Sequence, residues 1–136
     1  MRQRIYSGAK WEESAGYCRA IVLPDPNGDW VFVSGTTGFD YAADTISDDP
    51  AEQARQCFRT IEKALKDAGA TLSDVYRLRA FLADIDDFPA VSAVVGETMR
   101  PVTPVNTSIV TGFVDARIKV EIEVEARKDP ALDAGA

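Results

Sequence analysis

The segment Trp30-Val31-Phe32-Val33 is apolar in both of its alternating sets, Trp30 and Phe32 against Val31 and Val33. Successive side chains of a strand point to opposite sides of the sheet, so a strand made of these residues must bury both sides. Leaving a large apolar side chain in water forfeits about 1.5–3 kcal/mol. Ala20-Ile21-Val22-Leu23 has the same character, and Pro24-Asp25-Pro26-Asn27-Gly28-Asp29 supplies a turn, so the two runs read as a hairpin. A sheet buried on both sides needs two covering layers. The rest of the chain must therefore supply two layers or leave one to a partner.

It supplies one. Asp48, Asp49 and Pro50 form a helix start, and Ala54, Phe58, Ile61, Leu65 and Ala68 follow at helical spacing before Gly69 closes the run. A second helix is expected from near Pro89 to about Met99, with Val91, Val94, Val95 and Thr98 or Met99 inward. Strands are expected at Arg2–Ser7, Gly16–Leu23, Val75–Leu82, Asn106–Val110 and through the closing Ile118-Lys119-Val120-Glu121-Ile122-Glu123-Val124-Glu125-Ala126. The reading is α+β: a mixed, mainly antiparallel sheet with two helices packed on one face. At 136 residues this is one domain, 1–128, followed by a loose tail, 129–136. The missing layer is expected to be another copy of the chain.

In the last strand Val120, Ile122, Val124 and Ala126 share one face, and Glu121, Glu123 and Glu125 share the other. In Val75–Leu82 the set Tyr76, Leu78, Ala80 and Leu82 alternates with Val75, Arg77, Arg79 and Phe81. If the apolar sets meet the helices, Arg77 and Arg79 fall on the side of the three glutamates. A polar, partly buried network beside a subunit interface is expected there.

Several function classes are excluded. The chain has no histidine, so no Ser-His-Asp triad or His-based zinc site can form within it. Cys18 and Cys57 make neither a metal cluster nor a disulfide framework, and Cys57 borders the helical stripe as a small core residue. No cofactor or metal is expected. A net charge of −7, with bases scattered, counts against nucleic acid and against a membrane surface as partners. With no signal peptide visible, a cytoplasmic location is expected.

The run from Gln53 to Val91, "QARQCFRTIEKALKDAGATLSDVYRLRAFLADIDDFPAV", with "AGYCRAI", "VFVSGTTGF" and the closing "KVEIEVEA", resembles the RidA family, also called YjgF-like or L-PSP endoribonuclease-like proteins. The resemblance covers about residues 14–128. It implies a chorismate-mutase-like fold and a homotrimer with ligand sites in clefts between subunits. It also implies hydrolysis of reactive imines and enamines such as 2-iminopropanoate, releasing ammonia. In such deaminases an arginine of a "PAR" motif binds the substrate carboxylate, and a glutamate of the last strand positions water. Carried over by spacing, that glutamate is Glu121, with Tyr17, Ser34, Gly35, Thr107 and Ser108 as further site residues.

The arginine is missing. Where the family pattern has Pro-Ala-Arg-Ser/Thr, this chain reads Pro104-Val105-Asn106-Thr107. An amide cannot neutralise a carboxylate or grip it through two charged donors, and the loss is about 1.5–3 kcal/mol. An anionic 2-imino acid is therefore a poor fit unless another base, Arg79 or Arg77, enters the pocket. Three readings follow: a deaminase with an altered imine or enamine substrate, a non-catalytic metabolite-binding trimer, and an endoribonuclease. The acidic charge weighs most heavily against the last.

Overall fold

The computed structural model describes residues 1–128; the expected tail, 129–136, lies outside them. In chain order come β1 (Gln3–Ile5), α1 (Lys10–Ala15), β2 (Ala20–Leu23), β3 (Trp30–Thr37), β4 (Phe39–Asp40) and β5 (Thr45–Ile46). There follow α2 (Pro50–Asp67), β6 (Val75–Leu82), α3 (Phe88–Met99), β7 (Val105–Val110) and β8 (Val120–Arg127). Six strands make one sheet in the order β1-β2-β3-β8-β6-β7, and β4 and β5 form a separate ribbon. Neighbours in the sheet are antiparallel except β6 and β7, which are parallel. Helix α3 is the crossover that a parallel pair requires. The result is a mixed α+β domain with a mostly antiparallel sheet and two main helices.

Helix α2 begins where the sequence places it. The Asp49 side chain accepts a hydrogen bond from Ala51 N, and Pro50 occupies the first turn, where its lack of an N–H costs nothing. Ala54, Cys57, Phe58, Ile61, Ala64 and Leu65 are buried, and Ala68, the half-buried C-terminal cap, packs against the same core. In α3 Val91, Val94 and Met99 are buried, with Val95 packed against the core. Both helices cover the side of the sheet formed by Val31, Val33, Leu78, Ala80, Leu82, Val120, Ile122, Val124 and Ala126.

Three expectations need correction. The strand expected from Gly16 begins only at Ala20, because residues 10–15 are helical and Gly16 ends that helix at φ 74°, a left-handed conformation that glycine adopts without strain. The first strand contracts from Arg2–Ser7 to Gln3–Ile5. Val75 and Tyr76 exchange sides, since a bulge between Val75 and Arg77 inserts one residue into the ladder with β8. Val75 is therefore buried and Tyr76 exposed, its ring edge-on to Trp30 at 6.0 Å.

On the sheet side without helices, Ile21, Leu23, Trp30 and Phe32 are half-buried. The charge rows beside them interlock as their signs predict. Arg79 lies 3.2 Å from both Glu123 and Glu125, and Arg77 lies 3.6 Å from Glu125. Strand β7 forms one edge of the sheet, with Val105, Ile109 and Val110 exposed by 56%, 47% and 49%. Among the described residues no helix is long and apolar enough to cross a membrane.

Candidate active site

Strand β3 breaks its ladder with β8 between Val33 and Thr36, so Ser34 and Gly35 together oppose Glu123. Bulges of this kind re-aim side chains and recur beside active sites. Here the bulge brings the Gly35 backbone against the Glu121 side chain. A Cβ on Gly35 would stand 2.9 Å from both Cδ and Oε1 of Glu121. Only a residue without a Cβ lets the carboxyl rest there.

The Glu121 carboxyl is half-buried and opens on a cleft of about 360 Å³ whose walls include Trp11, Tyr17, Gly35, Tyr41, Phe113 and Glu121 itself. Burial pushes its pKa above the ordinary value of 4.5, the neighbouring Glu123 adds to the rise, and Arg19 opposes it. A carboxyl tuned in this direction holds and releases a proton closer to neutral pH than a solvated one. Tyr41 closes one wall, its hydroxyl accepting from Thr37 N at 2.9 Å.

The chain brings some of the expected site residues together and separates others. Tyr17, Gly35 and Glu121 share the cleft. Ser34 faces an adjoining groove that Tyr17 also lines, and its hydroxyl donates to Cys18 O at 2.7 Å. Asn106 and Ser108 do not reach Glu121. The register pairs Asn106 with Leu78 and Ser108 with Ala80, both buried beneath the helices, which puts these two side chains on the helix side of β7. They line a slot of about 270 Å³ against α3, with Phe88, Val91, Ser92 and Val95, and Ser108 donates to Asn106 Oδ1 at 3.1 Å. Thr107 pairs with Arg79 on the other side. Arg79 is held by Glu123 and Glu125 and does not line the Glu121 cleft.

Sequence reasoning missed the group behind Gly35. Arg19 is 1% exposed and forms an ion pair at 3.0 Å with Glu12, itself 4% exposed. Its Nη1 donates to both Gly35 O at 2.8 Å and Thr36 Oγ1 at 3.2 Å, and its guanidinium lies 4.6 Å from the centre of the Tyr41 ring. Glu12 also accepts from Ser7 N at 2.9 Å and from the Ser7 hydroxyl. The available signal was a lone base in an otherwise uncharged run, Ala15-Gly16-Tyr17-Cys18-Arg19-Ala20-Ile21. Among the described residues no cluster of three or more His, Cys, Asp or Glu could hold a metal ion.

Gln53, in the helix-start motif, serves the scaffold. Fully buried, it donates to Ser47 O at 2.7 Å and Arg117 O at 2.9 Å and accepts from Lys119 N at 2.9 Å. It thereby fixes the chain entering β8, one strand residue before Glu121.

Comparison with known proteins agrees with this architecture. Residues 8–128 match the endoribonuclease L-PSP family. An uncharacterized protein of Streptomyces coelicolor is 39% identical over 91% of this chain and 90% of its own. A 2-iminobutanoate/2-iminopropanoate deaminase of Capra hircus is 30% identical over 97% of this chain and 95% of its own. A crystal structure of a Mycobacterium tuberculosis member of the YjgF/YER057c/UK114 family superimposes with TM-score 0.82 at 35% identity, covering 93% of this chain and 99% of that one. The chain, with its bulged β3 laid against the first glutamate of β8, belongs to the endoribonuclease L-PSP (RidA/YjgF) family.

Proposed function

We infer that this protein hydrolyses reactive imines or enamines to carbonyl compounds and ammonia, in clefts between the subunits of a homotrimer, and that its substrate carries no carboxylate that needs a guanidinium partner. The single observation that carries this is the Glu121 carboxyl, half-buried on Gly35 in a cleft with Tyr17, with Arg19 and Arg79 engaged by other protein groups. Relatives named as imine deaminases supply the reaction class.

The division of the site supports the assembly. Glu121 and Asn106 belong to opposite sides of the sheet, so neither cleft alone holds both the acid and the polar anchor expected of the site. A neighbouring copy seated on the half-buried Ile21, Leu23, Trp30 and Phe32 would cover that apolar face, and its Asn106–Ser108 slot would complete the Glu121 cleft.

In the proposed reaction R₂C=NH + H₂O gives R₂C=O + NH₃. Glu121, as carboxylate, accepts a proton from water as its oxygen attacks the imine carbon and passes that proton to nitrogen, giving the carbinolamine R₂C(OH)NH₂; it then takes the hydroxyl proton and delivers it to nitrogen as the C–N bond breaks, leaving R₂C=O and NH₃. Asn106 and Ser108 hydrogen-bond the neutral remainder of the substrate.

The test is ammonia release from freshly generated imines with and without a carboxylate, for the wild type and Glu121→Gln. The expected result is turnover of the uncharged imine, at least tenfold above that of 2-iminopropanoate and lost in Glu121→Gln. No turnover on either, with a metabolite retained through purification, would instead identify a binding protein.

A further inference from the structure

We propose that Arg19 is a positioning residue of the Glu121 cleft: anchored by Glu12, it fixes the Gly35 peptide on which the Glu121 carboxyl rests and holds a positive charge behind that acid. The chain of contacts is continuous. The Glu12 carboxylate receives Nε of Arg19 at 3.2 Å and another guanidinium nitrogen at 3.0 Å. The remaining guanidinium nitrogen donates to Gly35 O at 2.8 Å, and the opposite side of the same residue meets Glu121. A guanidinium has donors in a fixed planar fork, so holding it at Glu12 dictates where it meets Gly35. Lysine, with one point of charge on a flexible stem, has no such fork.

Burial makes the arrangement consequential. In water a charge several ångströms from a carboxyl is heavily screened, whereas Arg19 and Glu12 are almost wholly out of solvent. Among the described residues, the titratable and charged groups around Glu121 include Glu123 on its own strand, Lys119 just before that strand, Tyr17 and Tyr41 in the cleft wall, Cys57 on α2, and Arg19. The Lys119 ammonium is turned to Asp48 O, and Arg19 is the cation that bears on the Glu121 carboxyl. Asn106 leaves the expected anchor position uncharged, so Arg19 restrains the proton affinity of Glu121 from behind the strand. It does so without offering a free guanidinium to a substrate.

This inference rests on Glu121 being the acid of the proposed site, but its test needs no turnover. Carboxyl-¹³C NMR follows the titration of Glu121 in the ligand-free, full-length protein. Arg19→Gln removes the cation, and the Glu121 midpoint is expected to rise. Glu12→Gln leaves the cation without its counter-charge, and the midpoint is expected to fall. A purely structural role would loosen the site in both variants and move both midpoints in one direction, toward the solvated value; that result, or no movement in either, overturns the proposal.

Removing one partner of a buried pair leaves an uncompensated buried charge and is strongly destabilising, whereas replacing both with apolar residues is often neutral. The double variant Glu12→Met/Arg19→Met is therefore the control that folds if the singles do not. A risen midpoint there supports the proposal, and an unchanged or lowered one overturns it. Failure of every imine assay, with the opposite shifts intact, would remove the enzymatic reading and leave the positioning role standing.

Discussion

Gly35 is the floor beneath the Glu121 carboxyl: a Cβ there would come within 2.9 Å of Cδ and Oε1 and within 3.3 Å of Cγ. The conflict is with the end of a flexible side chain, so Gly35→Ala is resolved by moving Glu121 and costs the fold less than about 1 kcal/mol. Ammonia release is expected to fall at least tenfold while the urea midpoint hardly changes. An unchanged rate would mean that Glu121 does not work from this position.

Gly38 is a contrasting case. A Cβ there would meet Gln53 at 2.5 Å from Cβ and 2.8 Å from the backbone Cα, neither of which can step aside. Gly38→Ala is expected to destabilise by about 1–3 kcal/mol. Gln53→Ala, which strands Ser47 O, Arg117 O and Lys119 N, is expected to cost about as much for the groups that water fails to reach. Urea unfolding of both variants checks this. Stability within 0.5 kcal/mol of wild type would remove Gln53 from the scaffold role.

How far the sequence carried is itself explicable. The long periodic elements were legible because each has one buried face: the α2 stripe, and β8 with Val120, Ile122, Val124 and Ala126 against three glutamates. Helix α1 was not, since its six residues are too few to establish a period and its Gly16 cap reads equally as a strand start. The bulge at Val75 exchanged two side chains without leaving any mark in composition. Tyr17, Gly35 and Glu121 were found together through family spacing. Arg19 and Glu12 were missed because pairing a buried base with a buried acid depends on a tertiary contact between α1 and the start of β2, which neither propensity nor alternation encodes.

The raised pKa of Glu121 fixes the sign of two pH effects. Its folded-state pKa lies above 4.5, so the folded protein binds this proton more tightly than the unfolded chain does. The contribution to stability is full below 4.5 and is lost as pH rises through the folded value. Glu121→Gln should therefore remove a loss of stability with rising pH. Turnover should behave oppositely, rising through the same folded pKa as the base form appears, with an acid limb above that of an ordinary glutamate. A limb at or below 4.5 would assign it to another group.

Arg79 pairs with the acidic row at Glu123 and Glu125. Its side chain is 36% exposed and so are its contacts in part, which limits the Glu123 and Glu125 pairs to about 1 kcal/mol within a chain. In the proposed assembly that row lies beside the interface, where Arg79→Ala removes the ion pair of Glu123 and leaves Glu125 with that to Arg77. Sedimentation equilibrium should then show weaker association at low salt, recovering as ionic strength screens the row. Equal weakening at all salt concentrations would point to lost packing instead.

The most direct reversal is at Asn106. Its side chain accepts from Ser108 and lines the α3 slot, offering a substrate hydrogen bonds without charge. Asn106→Arg would supply the charged, two-pronged contact that the deaminase pattern has there, worth about 1.5–3 kcal/mol over a neutral one. The kcat/KM for 2-iminopropanoate is expected to rise roughly 10- to 100-fold, while that for an uncharged imine stays level or falls. Position 106 is exposed, so the substitution itself should leave the urea midpoint near that of the wild type. Were the gain equal for charged and uncharged imines, the added guanidinium would be acting on the protein rather than on a substrate carboxylate, and the specificity would have to arise elsewhere in the cleft.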